Sequence, residues 1–291
     1  MRLALTPLLL VAAVAPALAQ TTPASTAATP PDLATARANY ERDPAPLDHI
    51  IWYGRRIAYT GAFDQAIAIY SEGLRRYPDE PHLLRHRGHR YLSVRQYDLA
   101  LADLRRAYEV TRGTPDEVEP DGQPNARGIP TSTLQSNIRY HLALAHFLRR
   151  EFPAAAALWR EDAAAAKNLD QRVAATYWWV LSLARAGDRR GAQRALAPIR
   201  ADWDIIENGS YHALLLWMKG DRTRAQLDAS MSTPLERQTI GNGIAQWSFA
   251  TGDRAAAVAA LTPLLAAGPS ASFGYLAAEA LAADLGVTPN R

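Results

Sequence analysis

Ile50-Ile51-Trp52-Tyr53-Gly54-Arg55-Arg56-Ile57, followed by Ala66-Ile67-Ala68-Ile69-Tyr70 and then Pro78, decides the fold of this chain. The pattern recurs 34 residues later. Gly54 is matched by Gly88, Ile57 by Tyr91, Phe63 by Tyr97, Asp64 by Asp98, Ala66 by Ala100 and Tyr70 by Leu104. Self-similarity at a fixed period of this length marks stacked supersecondary units. Each matched position has a steric role. Gly54 and Ala66 are small enough for two helices to approach closely, while the aromatic and aliphatic positions fill the space around that contact. Pro78 stops the second helix. The spacing predicts a first unit pairing helices over 48–60 and 63–77, turning at Gly61, and a second pairing 80–93 with 97–111.

Outward from this pair the rhythm breaks and then resumes. The next small position comparable with Gly88 is Ala143, 55 residues on. The excess is the segment 112–131, whose Pro115, Pro120, Pro124 and Pro130 rule out a helix. Ser132-x-x-Gln135 reads as a capping box that restarts the helix. A third unit then pairs 137–149 with 152–167 and keeps Ala155-x3-Trp159. Gly187-Asp188-Arg189, Gly220-Asp221-Arg222 and Gly252-Asp253-Arg254 recur at offsets of 33 and 32, each followed by a second helix starting near Ala192, Ala225 or Ala257. A helix over 273–285 is expected to close the array, as terminal repeats require. The prediction is an all-α chain of six helix pairs.

The first two units resemble tetratricopeptide repeats, whose signature W-x2-L-G-x2-Y, A-x3-F, P has the spacing of Ile50-x2-Tyr53-Gly54-x2-Ile57, Ala66-x3-Tyr70 and Pro78. The resemblance extends over roughly 47–285. It implies a right-handed superhelical solenoid whose first helices line a concave groove that binds peptides or partner proteins. By the same resemblance the second, fifth, ninth and twelfth residues of each first helix face that groove. These are Asp48, Ile51, Arg55 and Ala58, with Tyr59 beside them; His82, Arg85, His89 and Leu92; and Asn137, Tyr140, Leu144 and Phe147. The implied groove is basic at Arg55, Arg85 and His89 and aromatic at Tyr59, Tyr140 and Phe147. An acidic or carboxy-terminal peptide suits that chemistry. The alternative is that the arginines merely solvate an exposed helix face. Arg87 and Arg139 stand where the family has Leu and Trp, and the Lys/Asn pattern of its chaperone-binding members is missing.

Residues 1–19 carry Arg2, an apolar run from Leu3 to Leu18 and Ala17-Leu18-Ala19, the pattern of a secretory signal peptide cut after Ala19. Pro7 and Pro16 and the shortness of the run argue against a membrane anchor, so no transmembrane segment is expected in the mature chain. Residues 20–46, rich in Thr, Ala and Pro, read as a disordered leader with a short helix near 33–40. The chain has no cysteine, which removes disulfides and thiolate chemistry. An exported bacterial protein, periplasmic or secreted, is the expectation. Without residues 1–19 there remain 31 basic against 29 acidic residues, too weak a balance to predict nucleic acid as partner.

His82-x3-His86-x2-His89 would place three imidazoles near one helix face, but Arg85, Arg87 and Arg90 crowd the same turns and oppose a cation. Glu117-x-Glu119-x-Asp121-Gly122 begins like a calcium loop, yet Gly128 stands where the closing glutamate belongs. The inserted loop is expected to fold over the groove as a lid, with Asp121, Asn125 and Arg127 as polar contacts. G-x-S-x-G, H-E-x-x-H and P-loop motifs are missing. No cofactor or metal is expected. The sequence thus points to an adaptor that binds a protein or peptide, with a small-ligand receptor or metal-assisted enzyme built on His82, His86, His89 and the 112–131 loop as the alternative.

Overall fold

A computed structural model describes residues 30–121, 123–268 and 270–287. Among them run fourteen helices: α1 (Leu33–Arg42), α2 (Leu47–Tyr59), α3 (Phe63–Arg76), α4 (Pro81–Ser93), α5 (Tyr97–Thr111), α6 (Leu134–Leu148), α7 (Phe152–Ala165), α8 (Leu169–Arg185), α9 (Arg189–Leu196), α10 (Gly209–Lys219), α11 (Arg224–Asp228), α12 (Pro234–Thr251), α13 (Arg254–Ala266) and α14 (Phe273–Leu285). No strand occurs among the described residues. The chain is all-α, and consecutive helices pack in adjacent pairs.

The repeated small residues are where the helices meet. A Cβ on Gly54 would lie 2.4 Å from the Tyr70 ring, and one on Gly88 would lie 2.6 Å from Leu104. Tyr70 and Leu104 are fully buried, so neither can swing aside. Gly54→Ala is therefore expected to destabilise the protein by about 1–3 kcal/mol through overpacking, measured as a lowered urea midpoint with unchanged slope.

Each turn between paired helices holds one left-handed residue: Gly61, Gly187, Gly220 and Gly252 in four units, but Arg95 (φ 62°) and Arg150 (φ 64°) in the second and third. Asp188 and Asp253 follow their glycines and cap the next helix by accepting the Gly191 and Ala256 N–H groups. Arg87 and Arg139 have also found partners. Arg87 grips Asp103 through two hydrogen bonds of 2.7 and 2.8 Å, and Arg139 donates to Asp162 at 3.0 Å.

Four expectations change. The ordered chain starts before Leu47: Asp32 caps α1, Ala36 is buried, and Tyr40 lies 5.0 Å from Tyr53 of α2. The signal-peptide reading, and the leader up to residue 29, lie outside the described residues. The capping box sits one residue later than expected, at Thr133 and Ser136. The Ser132 carbonyl accepts the Glu119 N–H in the short Val118–Thr133 bridge, and the Gln135 amide reaches back to the Thr114 carbonyl. The fifth unit's second helix, α11, is only 5 residues long.

The fourth change concerns the end of the array. Helix α14 closes the last pair, packing on α12 and α13, but it also turns back onto α6. Arg95 pairs with Glu279 at 2.9 Å and donates to the Ser270 carbonyl; Arg150 pairs with Asp284 at 3.0 Å, which Arg185 of α8 also binds. The last helix is thereby fastened to the second, third and fourth units. Among the described residues no helix is long and apolar enough to cross a membrane.

Candidate functional site

Helix α4 presents Arg85, His86 and His89 toward the interior, and the inserted loop answers them with Glu119, which is 2 % exposed. Arg85 Nη2 lies 3.2 Å from Glu119 Oε2, and Asn137 Nδ2 donates to the same oxygen at 2.8 Å. Arg85 Nη1 donates to His86 Nδ1 at 2.8 Å. Arginine only donates, so the His86 proton sits on Nε2, 3.2 Å from Glu119 Oε1. Burial alone would push the Glu119 carboxyl up, but Arg85, His86 and Arg55 outweigh it and hold it well below the usual carboxylate range. Arg55 Nη1 donates to the Pro120 carbonyl at 2.8 Å and its guanidinium stacks 4.7 Å from Trp52. The basic groove is thus neutralised by the chain's own loop.

Behind Glu119 lies a cavity of about 350 Å³ between α4, α6, α8, the loop and the start of α14. Its lining includes Arg85, His89, Asp121, Asn137, Tyr140, His141, Glu207, Tyr211 and Phe273. It adjoins an outer cleft of about 1040 Å³ that shares His89, Glu207, Asn208, Tyr211 and Phe273. The aromatic wall is tightly built. The Phe273 ring lies 5.2 Å from His89, 5.5 Å from His141 and 5.7 Å from Tyr140, and His89 lies 4.3 Å from His141. The Tyr140 hydroxyl accepts from Trp178 Nε1 at 2.8 Å and meets the Tyr211 hydroxyl at 3.1 Å. Glu207 and Asn208 are held at the rim by buried Asp170, whose carboxylate accepts the N–H groups of Ile206, Glu207 and Asn208.

Three buried polar atoms of lining residues have no hydrogen-bond partner among the described residues: Arg85 Nε, His89 Nδ1 and His141 Nε2. His141 gives its Nδ1 proton to the Asn137 carbonyl at 2.5 Å, which leaves Nε2 as a bare acceptor. Burial first, and Arg85 second, lower the His141 ring to about 3, so it is neutral across the physiological range. Burial and Arg90 likewise hold His89 well below the usual histidine value. Half-burial, with the Glu207 charge second, pushes the Asp121 carboxyl up to about 6.

The predicted site residues divide. Arg85, His89, Asn137, Tyr140 and Asp121 meet at the cavity. Arg55 is spent on Pro120, while Tyr59 stays 43 % exposed on the surface. Phe147 does not face a groove: it is buried 5.1 Å from Trp178 and 5.2 Å from Phe152. Asn125 and Arg127 act at the rim, donating to Glu207 at 2.6 Å and Asp204 at 2.9 Å, so the loop is latched to the α9–α10 connection. The histidine triad is not assembled. His82 faces Glu80 and Glu117, His86 faces Glu119, and His89 faces His141 and Phe273. Residues missed by sequence reasoning are His141, Glu207, Tyr211 and Phe273. Only His141 had a local signal, one turn after Asn137 and adjacent to Tyr140.

Compared with family models and with curated proteins, the chain matches neither.

Proposed function

We propose that this is an exported helical-repeat protein of tetratricopeptide type that acts as a receptor for a small polar ligand. The carrying observation is the cavity walled by Phe273, whose lining residues Arg85, His89 and His141 each hold a buried polar atom without a hydrogen-bond partner among the described residues. Buried polar groups are nearly always satisfied, so such a cluster around a cavity calls for a guest that supplies the missing partners. The signal-peptide pattern of residues 1–19 supports export. The test is a thermal-shift screen of small polar metabolites, run beside Ala174→Leu. Ala174 lines the cavity, and a leucine there fills part of it. A ligand that raises the melting temperature of the wild type, and not that of a normally folded Ala174→Leu, supports the reading. A screen with no stabilising compound removes it.

Capture of a partner protein keeps a separate observation. An apolar groove of about 720 Å³ between α7, α8 and α9 is lined by Ala156, Ala157, Trp179 and Trp203. Arg160, Arg172 and Arg194 stand around it, without a hydrogen-bonded or ion-paired side-chain partner among the described residues. An acidic amphipathic helix fits that surface. A labelled Leu/Glu amphipathic peptide should gain anisotropy with the wild type and lose it with Arg172→Glu, Arg194→Glu. No gain with the wild type would end this second reading.

A further inference from the structure

The charges around the cavity narrow what a receptor of this kind would take. Its arginines are already paired: Arg85 with Glu119 at 3.2 Å and, at the rim, Arg127 with Asp204 at 2.9 Å. Two carboxylates are not. Asp121 has no hydrogen-bond or ion-pair partner among the described residues, and Glu207 accepts only from neutral donors, Asn125 Nδ2 at 2.6 Å and Thr131 Oγ1 at 2.7 Å. The groups facing Asp121 are Glu207, Arg55 and Glu119; Glu119 is already committed to Arg85, so Arg55 offsets one of the two carboxylates and a single negative charge remains. The charge left at the cavity is therefore negative, the reverse of what the arginine-rich α4 suggests.

The neutral groups point the same way. His141, 4 % exposed, offers a bare Nε2 lone pair, because its Nδ1 proton is committed to the Asn137 carbonyl. This acceptor is independent of the two carboxylates, and it asks for a ligand N–H or O–H. Tyr140, Tyr211 and Phe273 add aromatic walls, which favour a cation over an anion. A guest that carries one positive charge and several donors on a single small atom centre meets all three demands. An ammonium group has three donors and no acceptor.

Resting on the receptor reading, we propose that the cavity binds a primary ammonium group, with Asp121 and Glu207 as its counter-charges and His141 Nε2 accepting one of its N–H bonds. Charge and donor count fix the headgroup, and the ligand it belongs to is either a small aliphatic amine or the free amino terminus of a peptide.

The experiment is calorimetric titration of the full-length mature chain near neutral pH with butylamine, tetraglycine, N-acetyl-tetraglycine, succinate and glycerol. Butylamine or tetraglycine should bind, and the acetylated peptide, succinate and glycerol should not. Tetraglycine binding more tightly than butylamine assigns a peptide terminus; the reverse assigns a free amine. Asp121→Asn should weaken binding by about tenfold or more, the order expected for a lost charge partner, without lowering the melting temperature, since Asp121 has no hydrogen-bond or ion-pair partner among the described residues. Affinity in the wild type should also fall as pH drops through about 6, where the Asp121 carboxyl takes up its proton. Succinate or glycerol bound in place of the amines, or amine binding unchanged in Asp121→Asn, overturns the ammonium assignment and leaves the receptor standing. Silence from every probe, together with a barren metabolite screen, overturns both.

Discussion

Glu119→Ala is expected to destabilise the protein by about 3–5 kcal/mol, the range for breaking a buried ion pair by removing one partner. Arg85 is 8 % exposed and its only counter-charge at ion-pair distance among the described residues is Glu119, so the substitution leaves a guanidinium buried and uncompensated. It also removes the carboxylate that faces His86 Nε2 at 3.2 Å and accepts the Asn137 amide at 2.8 Å. Thermal unfolding followed by circular dichroism should show the melting temperature lowered by roughly 10 °C. The double variant Arg85→Met, Glu119→Leu removes both charges and should recover much of the loss, because replacing a buried pair with apolar groups is often nearly neutral. Equal stability of wild type and Glu119→Ala would mean that the loop does not seal the interior in solution.

Acid should unfold the protein in two stages. His86, His89 and His141 all titrate below their unfolded value near 6.5, His141 at about 3. Each is neutral in the fold and takes a proton more readily when unfolded. Their contribution is therefore present above about 6.5 and is lost as pH falls toward the folded value. Asp121 and Asp162 work in the opposite sense. Burial raises them to about 6 and about 7, Asp162 despite Arg139 beside it, so the native state gains protons there first. Between about pH 6 and 4.5 these two offset two of the three histidines, leaving a net loss near 1.4 kcal/mol per pH unit. Below about pH 4 the aspartates are protonated in both states, and Glu119, whose folded value is depressed, adds its own loss. The slope then rises to about 4 kcal/mol per unit or more. Urea midpoints measured across the range should decline gently and then collapse. A uniform three-proton slope from pH 6.5 downward would show that the aspartates are not raised, and a flat profile would show that the histidines are not buried.

Much of the fold was legible because it is written locally. The Gly54–Tyr70 and Gly88–Leu104 contacts follow from residues sixteen apart, and the glycine–aspartate–arginine turns announce themselves in sequence. Even the boundaries of α14, 273 to 285, agree with the pattern. Where α14 goes was not legible. Its docking depends on Arg95 reaching Glu279 and Arg150 reaching Asp284, pairs separated by more than a hundred residues and unmarked by any motif. The site suffered for the same reason. Arg85 and His89 were placed facing inward, but the partner that cancels Arg85 is Glu119, which local spacing presented only as a failed calcium ligand. Phe147 has the register of a groove residue, yet the long α8 brings Trp178 against it and takes it into the core. A basic groove read from one helix at a time became, once the loop and α14 were folded in, an internal cavity whose unspent charge is negative.

The left-handed arginines carry one more consequence. At the turn position where four units use glycine, Arg95 and Arg150 accept a backbone conformation that costs a β-carbon-bearing residue of order 1 kcal/mol. What each gains is a side chain long enough to strap the last helix to the second and third units. Stacked repeats that touch only their neighbours can fray from an end, one unit at a time. Here the carboxy-terminal helix cannot peel away without breaking both straps and withdrawing Phe273 from His89, His141 and Tyr140. The last helix and the second and third units share one fate, and the opening that would melt the end of the array is the same opening that would admit or release a guest.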